Sequence, residues 1–105
     1  MNKFSEKDWK IFRSKIAGWQ EAYMDRLIEE YKDILNSDAS SFDKYWALRK
    51  KIYDDYKSPG VLARDVSRSN MFIILVGLLR DEAITKDDLD GFSDELKEDI
   101  AQLIK

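Results

Sequence analysis

The chain has 105 residues, 44% hydrophobic and 37% charged, with a formal net charge of -3. That is enough for one domain with its own core, and too apolar for a disordered chain. Histidine and cysteine are both absent, which excludes disulfides, zinc held by sulfur or imidazole, thiol nucleophiles and imidazole bases.

In chain order, Phe4-Ser5-Glu6-Lys7-Asp8-Trp9 reads as a helix start. Ser5 is the N-cap, Asp8 stands at the capping-box position, and Phe4 with Trp9 forms a hydrophobic staple. Trp9, Phe12, Ile16, Trp19, Tyr23, Leu27 and Tyr31 then recur every three or four residues, which predicts a long amphipathic helix. Gly18 lies inside it. A glycine there costs about 1 kcal/mol relative to alanine, so a kink or break is expected near Ala17 and Gly18.

Residues 36–41 form a polar connector, with Ser40 or Ser41 placed to cap a second helix. Phe42, Tyr45, Trp46, Arg49, Ile52, Tyr53 and Tyr56 form a mostly aromatic stripe on that helix, expected to face the core with hydroxyls at its edge. Lys57-Ser58-Pro59-Gly60 should end it, through the restriction before proline and a positive φ at Gly60.

Met71 to Leu79 is the only stretch without a polar side chain. It is too short to cross a bilayer, and no other segment alternates like a strand that would pair with it, so a buried central helix is expected. Val61, Leu62 and Val66 should extend its apolar surface backward. Thr85 with Asp88, and Ile84 with Leu89, predict a further short helix, and Ser93 caps the last one, whose buried face carries Leu96, Ile100, Leu103 and Ile104.

Charge is uneven along the chain. Residues 38–69 carry five acids and seven bases, whereas residues 70–105 carry nine acids and four bases. Lys86 to Gly91 looks like part of a calcium loop, but the alignment puts Lys86 and Lys97 where carboxylates are required. Asp25, Glu29 and Asp33 share one helical face, which reads as solvated surface with Arg26 and Lys32 compensating it. Arg64 and Arg68 stand four residues apart, as a pair on one helical face able to hold a carboxylate or phosphate, followed by Ser69 and Asn70. The favoured expectation, however, is that both arginines pair with the acidic tail inside the fold while Ser67, Ser69 and Asn70 cap or kink the central helix. Arg49 and Lys50 sit among the aromatics of the second helix. These six residues, Arg49, Lys50, Arg64, Arg68, Ser69 and Asn70, are the candidate partner- or anion-binding set.

Phe4 to Leu27, Ser58-Pro59-Gly60-Val61, Ser67-Arg68-Ser69-Asn70 and Phe92-Ser93-Asp94-Glu95-Leu96 together resemble a family of small uncharacterised helical proteins from gut bacteria. Members often carry the automatic label "multidrug transporter", which a chain without a membrane-spanning segment does not support. The resemblance implies no activity and no functional residue.

The expectation is therefore a single all-α domain over residues 1–105, a bundle of four to six helices around Met71 to Leu79. With no apolar signal core at its start, it is expected to be soluble, cytoplasmic and without a membrane partner. A non-catalytic protein-interaction module, without cofactor or metal, is the leading function. A regulatory accessory or inhibitor of nucleic-acid machinery, possibly borne by a phage or mobile element, is the alternative. A homo-oligomer is compatible with either.

Overall fold

The computed structural model describes residues 5–104. They form four α-helices, α1 (Glu6–Leu35), α2 (Ser41–Asp55), α3 (Met71–Arg80) and α4 (Asp94–Leu103), with 3₁₀ turns at Arg68–Asn70 and Lys86–Leu89. The described residues contain no strand. The fold is an all-α bundle.

Ser5 caps α1 by accepting a hydrogen bond from the Asp8 amide at 3.1 Å. The Phe4 half of the expected staple lies outside the described residues. From that cap α1 runs for 30 residues, so the expected break at Ala17 and Gly18 does not divide it. Gly18 faces solvent with open space around it, and the buried face continues past it through Phe12, Ile16, Tyr23 and Leu27. Packing along that face outweighs one exposed glycine.

The core gathers around α3. Met71, Leu75 and Leu78 are fully buried, joined by Phe12 and Ile16 from α1 and by Leu96 and Ile100 from α4. Ile84 and Leu89, the expected staple, are buried there as well. Each such side chain contributes roughly 1.5–3 kcal/mol by leaving water. A row of rings, Trp9, Phe12, Trp19 and Phe92, runs through or beside the core with centroids 5.9, 6.4 and 6.5 Å apart.

The central helix does not extend backward as its apolar neighbours suggest. Residues 61–67 are irregular, and Leu62 and Val66 are exposed. Ser58 decides the conformation just before them, because its hydroxyl accepts from the Gly60 amide and its carbonyl accepts from the Val61 and Leu62 amides. Further on, Asp65 adopts a φ of 51°, and Asn70 Nδ2 donates to its carbonyl at 3.0 Å and its carboxylate at 2.7 Å. A left-handed residue inside this segment ends any helical continuation. Gly60 serves a different purpose from the expected positive φ. A Cβ at Gly60 would collide with the ring of Tyr23.

The second helix departs furthest from expectation. It contributes no buried residue, and its aromatic stripe does not pack on Met71–Leu79. Instead α2 lies against the second half of α1, and the two form a hairpin beside the core. The molecule is accordingly long, 52 × 24 × 22 Å.

Candidate functional site

The hairpin seam is polar where α2 meets α1. Lys44, Leu48, Lys51 and Asp55 are the half-buried residues of α2 before its C-cap, and they share one face. Lys51 Nζ lies 2.6 Å from Glu30 and 3.2 Å from Asp55, and the Tyr31 hydroxyl donates to Asp55 at 2.8 Å. Burial, reinforced by that hydrogen bond to a carboxylate, pushes the Tyr31 phenol up to about 12. The hydrogen bond to Glu30 raises Lys51 above the usual lysine value, against the opposing effect of burial.

With that face turned to α1, the aromatic residues of α2 and Ile52 are left outside, while Leu48 is half-buried. Phe42 is 71% exposed, Tyr45 64%, Tyr53 54% and Trp46 48%, and Ile52 and Tyr56 are exposed beside them. Their rings still order one another. Tyr45 meets Trp46 edge-on at 5.3 Å, Phe42 lies 6.3 Å from Trp46, and Tyr53 lies 5.8 Å from Tyr56. Two cations lie over this surface, Arg49 at 5.6 Å from the Trp46 centroid and Lys57 at 4.4 Å from the Tyr53 centroid. Lys50 is engaged with Asp54 at 2.9 Å, which holds that carboxyl below its usual range.

At the C-terminal end of α2 the face runs into a cleft of about 500 Å³. Tyr56 and Lys57 form one side, and Leu62, Arg64, Ile73 and Gly77 line the rest. Ile73 is 71% exposed although it belongs to the apolar central helix. Pro59 packs so closely on Gly77 that a Cβ there would come within 2.9 Å of the proline ring, and Gln20 holds the Pro59 carbonyl at 2.9 Å. The cleft is apolar with two cations, Lys57 and Arg64, among its walls.

The expected site residues are thus divided. Arg49 and Lys50 lie on the open face of α2, and Arg64 lines the adjoining cleft. Arg68 stands apart. It opens a 3₁₀ turn, with its guanidinium 3.3 Å from Glu6, so Arg64 and Arg68 do not share a helical face. Ser69 contacts the Ser67 hydroxyl at 3.2 Å and Asn70 is occupied with Asp65, so both brace the loop. Lys57, Leu62 and Ile73 were outside the candidate set. Lys57 has a signal in the sequence as one of the cations, with Arg49, Lys50 and Lys51, interleaved with the aromatics of the second helix, whereas Leu62 and Ile73 read only as apolar neighbours and core.

Comparisons with models of protein families, with curated proteins and with solved structures give no match. The role of this surface has to come from its own geometry. No group of three or more acidic residues suited to a metal ion occurs among the described residues, and Asp25, Glu29 and Asp33 are exposed, with Glu29 bound to Lys32 at 3.0 Å. No described helix is long and apolar enough to cross a membrane. The open aromatic face and its cleft remain as the candidate site.

Proposed function

We propose that this is a non-catalytic, cytoplasmic protein-interaction module whose docking surface is the outer face of α2. One observation carries the reading: a 15-residue helix with no buried residue presents five large apolar side chains to solvent on the face away from α1, with Tyr56 at its C-cap as a sixth. A contiguous apolar patch of this kind marks an interface, since an isolated monomer gains nothing by keeping it in water. Tyrosine, tryptophan and arginine are also the residues enriched at interface hot spots.

A second reading, an accessory of nucleic-acid machinery, is favoured by the cations placed over exposed rings at Trp46 and Tyr53, an arrangement suited to stacked bases and phosphates. The net charge of -3 weighs against it, because such binding depends on neutralising phosphate.

The test is affinity capture from a lysate of the encoding organism, comparing the wild-type chain with Trp46→Ala, with and without nuclease. A protein that is retained after nuclease and lost with Trp46→Ala supports the interaction reading. Captured species that are indifferent to Trp46 sink it, and recovery that depends on Trp46 but vanishes with nuclease transfers the case to nucleic acid.

A further inference from the structure

We infer that the occupant of the α2 face is an acidic amphipathic helix of a partner protein, its apolar stripe laid along Phe42 to Tyr56, one carboxylate on Arg49, and its far end in the cleft between Lys57 and Arg64. This rests on the reading of α2 as a docking surface and adds the chemistry of what docks.

The arrangement around Arg49 selects among occupants. Phe42, Tyr45, Trp46, Ile52, Tyr53 and Tyr56 lie three, four or seven positions before or after Arg49, so the guanidinium is the centre of the apolar face. Among the described residues no carboxylate forms an ion pair with it. Trp46 holds it in place from below.

A second copy of the chain fits this face badly. A two-fold contact that uses the whole patch brings Arg49 onto Arg49 of the copy, two like charges in the middle of a surface being dried. The acidic helix α4 of a second copy is no better, because its apolar residues Leu96 and Ile100 are already buried in its own core. A partner with a carboxylate opposite Arg49 removes the conflict, since an arginine and a carboxylate pair through two parallel hydrogen bonds.

The length also fits. Phe42 to Tyr56 spans about 21 Å, or four turns, whereas one set of i, i+4 and i+7 anchors covers about 10.5 Å, so the face has room for two such sets end to end along a docked helix. Tyr56 and Lys57 belong to both the helix end and the cleft, so the two parts form one continuous surface. The cleft supplies apolar walls at Leu62 and Ile73 for a terminal anchor, and Arg64 adds a second cation for an acid beside it. Of the acids near the face, Asp54 is engaged by Lys50, Asp55 by Lys51 and Tyr31, and Asp43 lies at the first turn of α2. Asp81 lines a hollow with Lys57 and offsets part of that cation, which leaves Arg49 as the principal site for an acid.

The experiment is selection from a display library of random 16-residue helical peptides on the full chain, with parallel selections on Arg49→Glu and Trp46→Ala. Both side chains are exposed, and circular dichroism establishes that each variant is folded. Wild-type selection should yield peptides with apolar residues at i, i+4 and i+7 and at least one acid between them. Trp46→Ala should weaken them on the order of tenfold or more, as loss of a central aromatic anchor does. Arg49→Glu should reverse the selected charge, favouring lysine or arginine at that place.

Peptides that need Trp46 but carry no acid overturn the inference and leave the docking surface standing. Peptides indifferent to Trp46, or no enrichment over a bare support, overturn both. Two controls complete it. A dimer in sedimentation that Trp46→Ala dissolves assigns the face to a second copy, and binding of a 20-nucleotide single strand that Arg49→Glu abolishes assigns it to nucleic acid; either result overturns the proposal.

Discussion

The carboxylate of Asp8, on the first turn of α1, grips the start of the last helix at Ser93. The Ser93 amide donates to Asp8 Oδ1 at 2.8 Å and its hydroxyl donates to Oδ2 at 2.7 Å, while the same hydroxyl accepts from the Leu96 amide at 3.2 Å. Asp8 is fully buried. A carboxylate here satisfies an otherwise orphaned amide and faces the positive end of α4, closing the bundle between residues 85 positions apart. Asp8→Ala leaves the Ser93 groups without their acceptor and should cost about 3 kcal/mol, the range for hydrogen bonds to a charged group. Ser93→Ala should cost a similar amount, because it leaves the buried carboxylate half-satisfied. Denaturant melts of the two single variants and the double variant check it: strong non-additivity is expected, and additive losses would show that the two residues act separately.

Tyr31 makes the hairpin seam sensitive to alkali. Its folded value of about 12 lies above the ordinary 10, so the folded state favours the neutral phenol. A raised pKa contributes stability that is complete below pH 10 and is lost as pH rises from 10 to 12. Lys51 acts in the same direction, since the folded state favours its charged form beyond the usual lysine range. Absorbance titration at alkaline pH should show one of the five tyrosines ionising near pH 12, and Tyr31→Phe should remove that step. Loss of any other step instead would contradict the assignment.

Two glycines should respond in opposite ways to alanine. Gly18 is exposed in the middle of α1 with nothing within 4 Å of a new Cβ, so Gly18→Ala should stabilise the chain by about 1 kcal/mol. At Gly60 the new Cβ meets the Tyr23 ring, and Gly60→Ala should destabilise by roughly 1–3 kcal/mol, as overpacking does. In a Tyr23→Ala background the Gly60→Ala penalty should largely vanish. A penalty that persists there would point to backbone strain instead of the ring.

Truncation separates the exposed face from the core. Phe42→Ala removes a large side chain that is mostly in water, so it should change stability by no more than about 0.5 kcal/mol, and Trp46→Ala, at a half-exposed site, should cost about 1 kcal/mol. Leu75→Ala, at a fully buried site, should cost about 2–5 kcal/mol. Thermal melts of the three variants measure the contrast. A large loss in Phe42→Ala would mean that α2 supports the fold as well as any partner.

Most of the local structure follows from the sequence alone. Caps at Ser5, Ser40, Thr85 and Ser93 and the 3.6-residue recurrence along α1 define the helices, because capping and amphipathic periodicity act over a few residues. The nine-residue run at Met71 likewise announces the core helix, since it has no polar group to present to water. What only the tertiary structure decides is which apolar stripe is buried. The stripes of α1 and α2 look alike as patterns, yet Phe12 is buried and Phe42 is 71% exposed. The difference lies in the opposite side of α2, where Lys51 and Asp55 pair with Glu30 and Tyr31 and turn the aromatics outward. The helical pair of Arg64 and Arg68 fails for a related reason, because the left-handed Asp65 and its hydrogen bonds to Asn70 keep Arg64 off the helix and place it in the cleft. Long-range pairing chose the face, and periodicity, which is a property of one helix, carries no information about its neighbour.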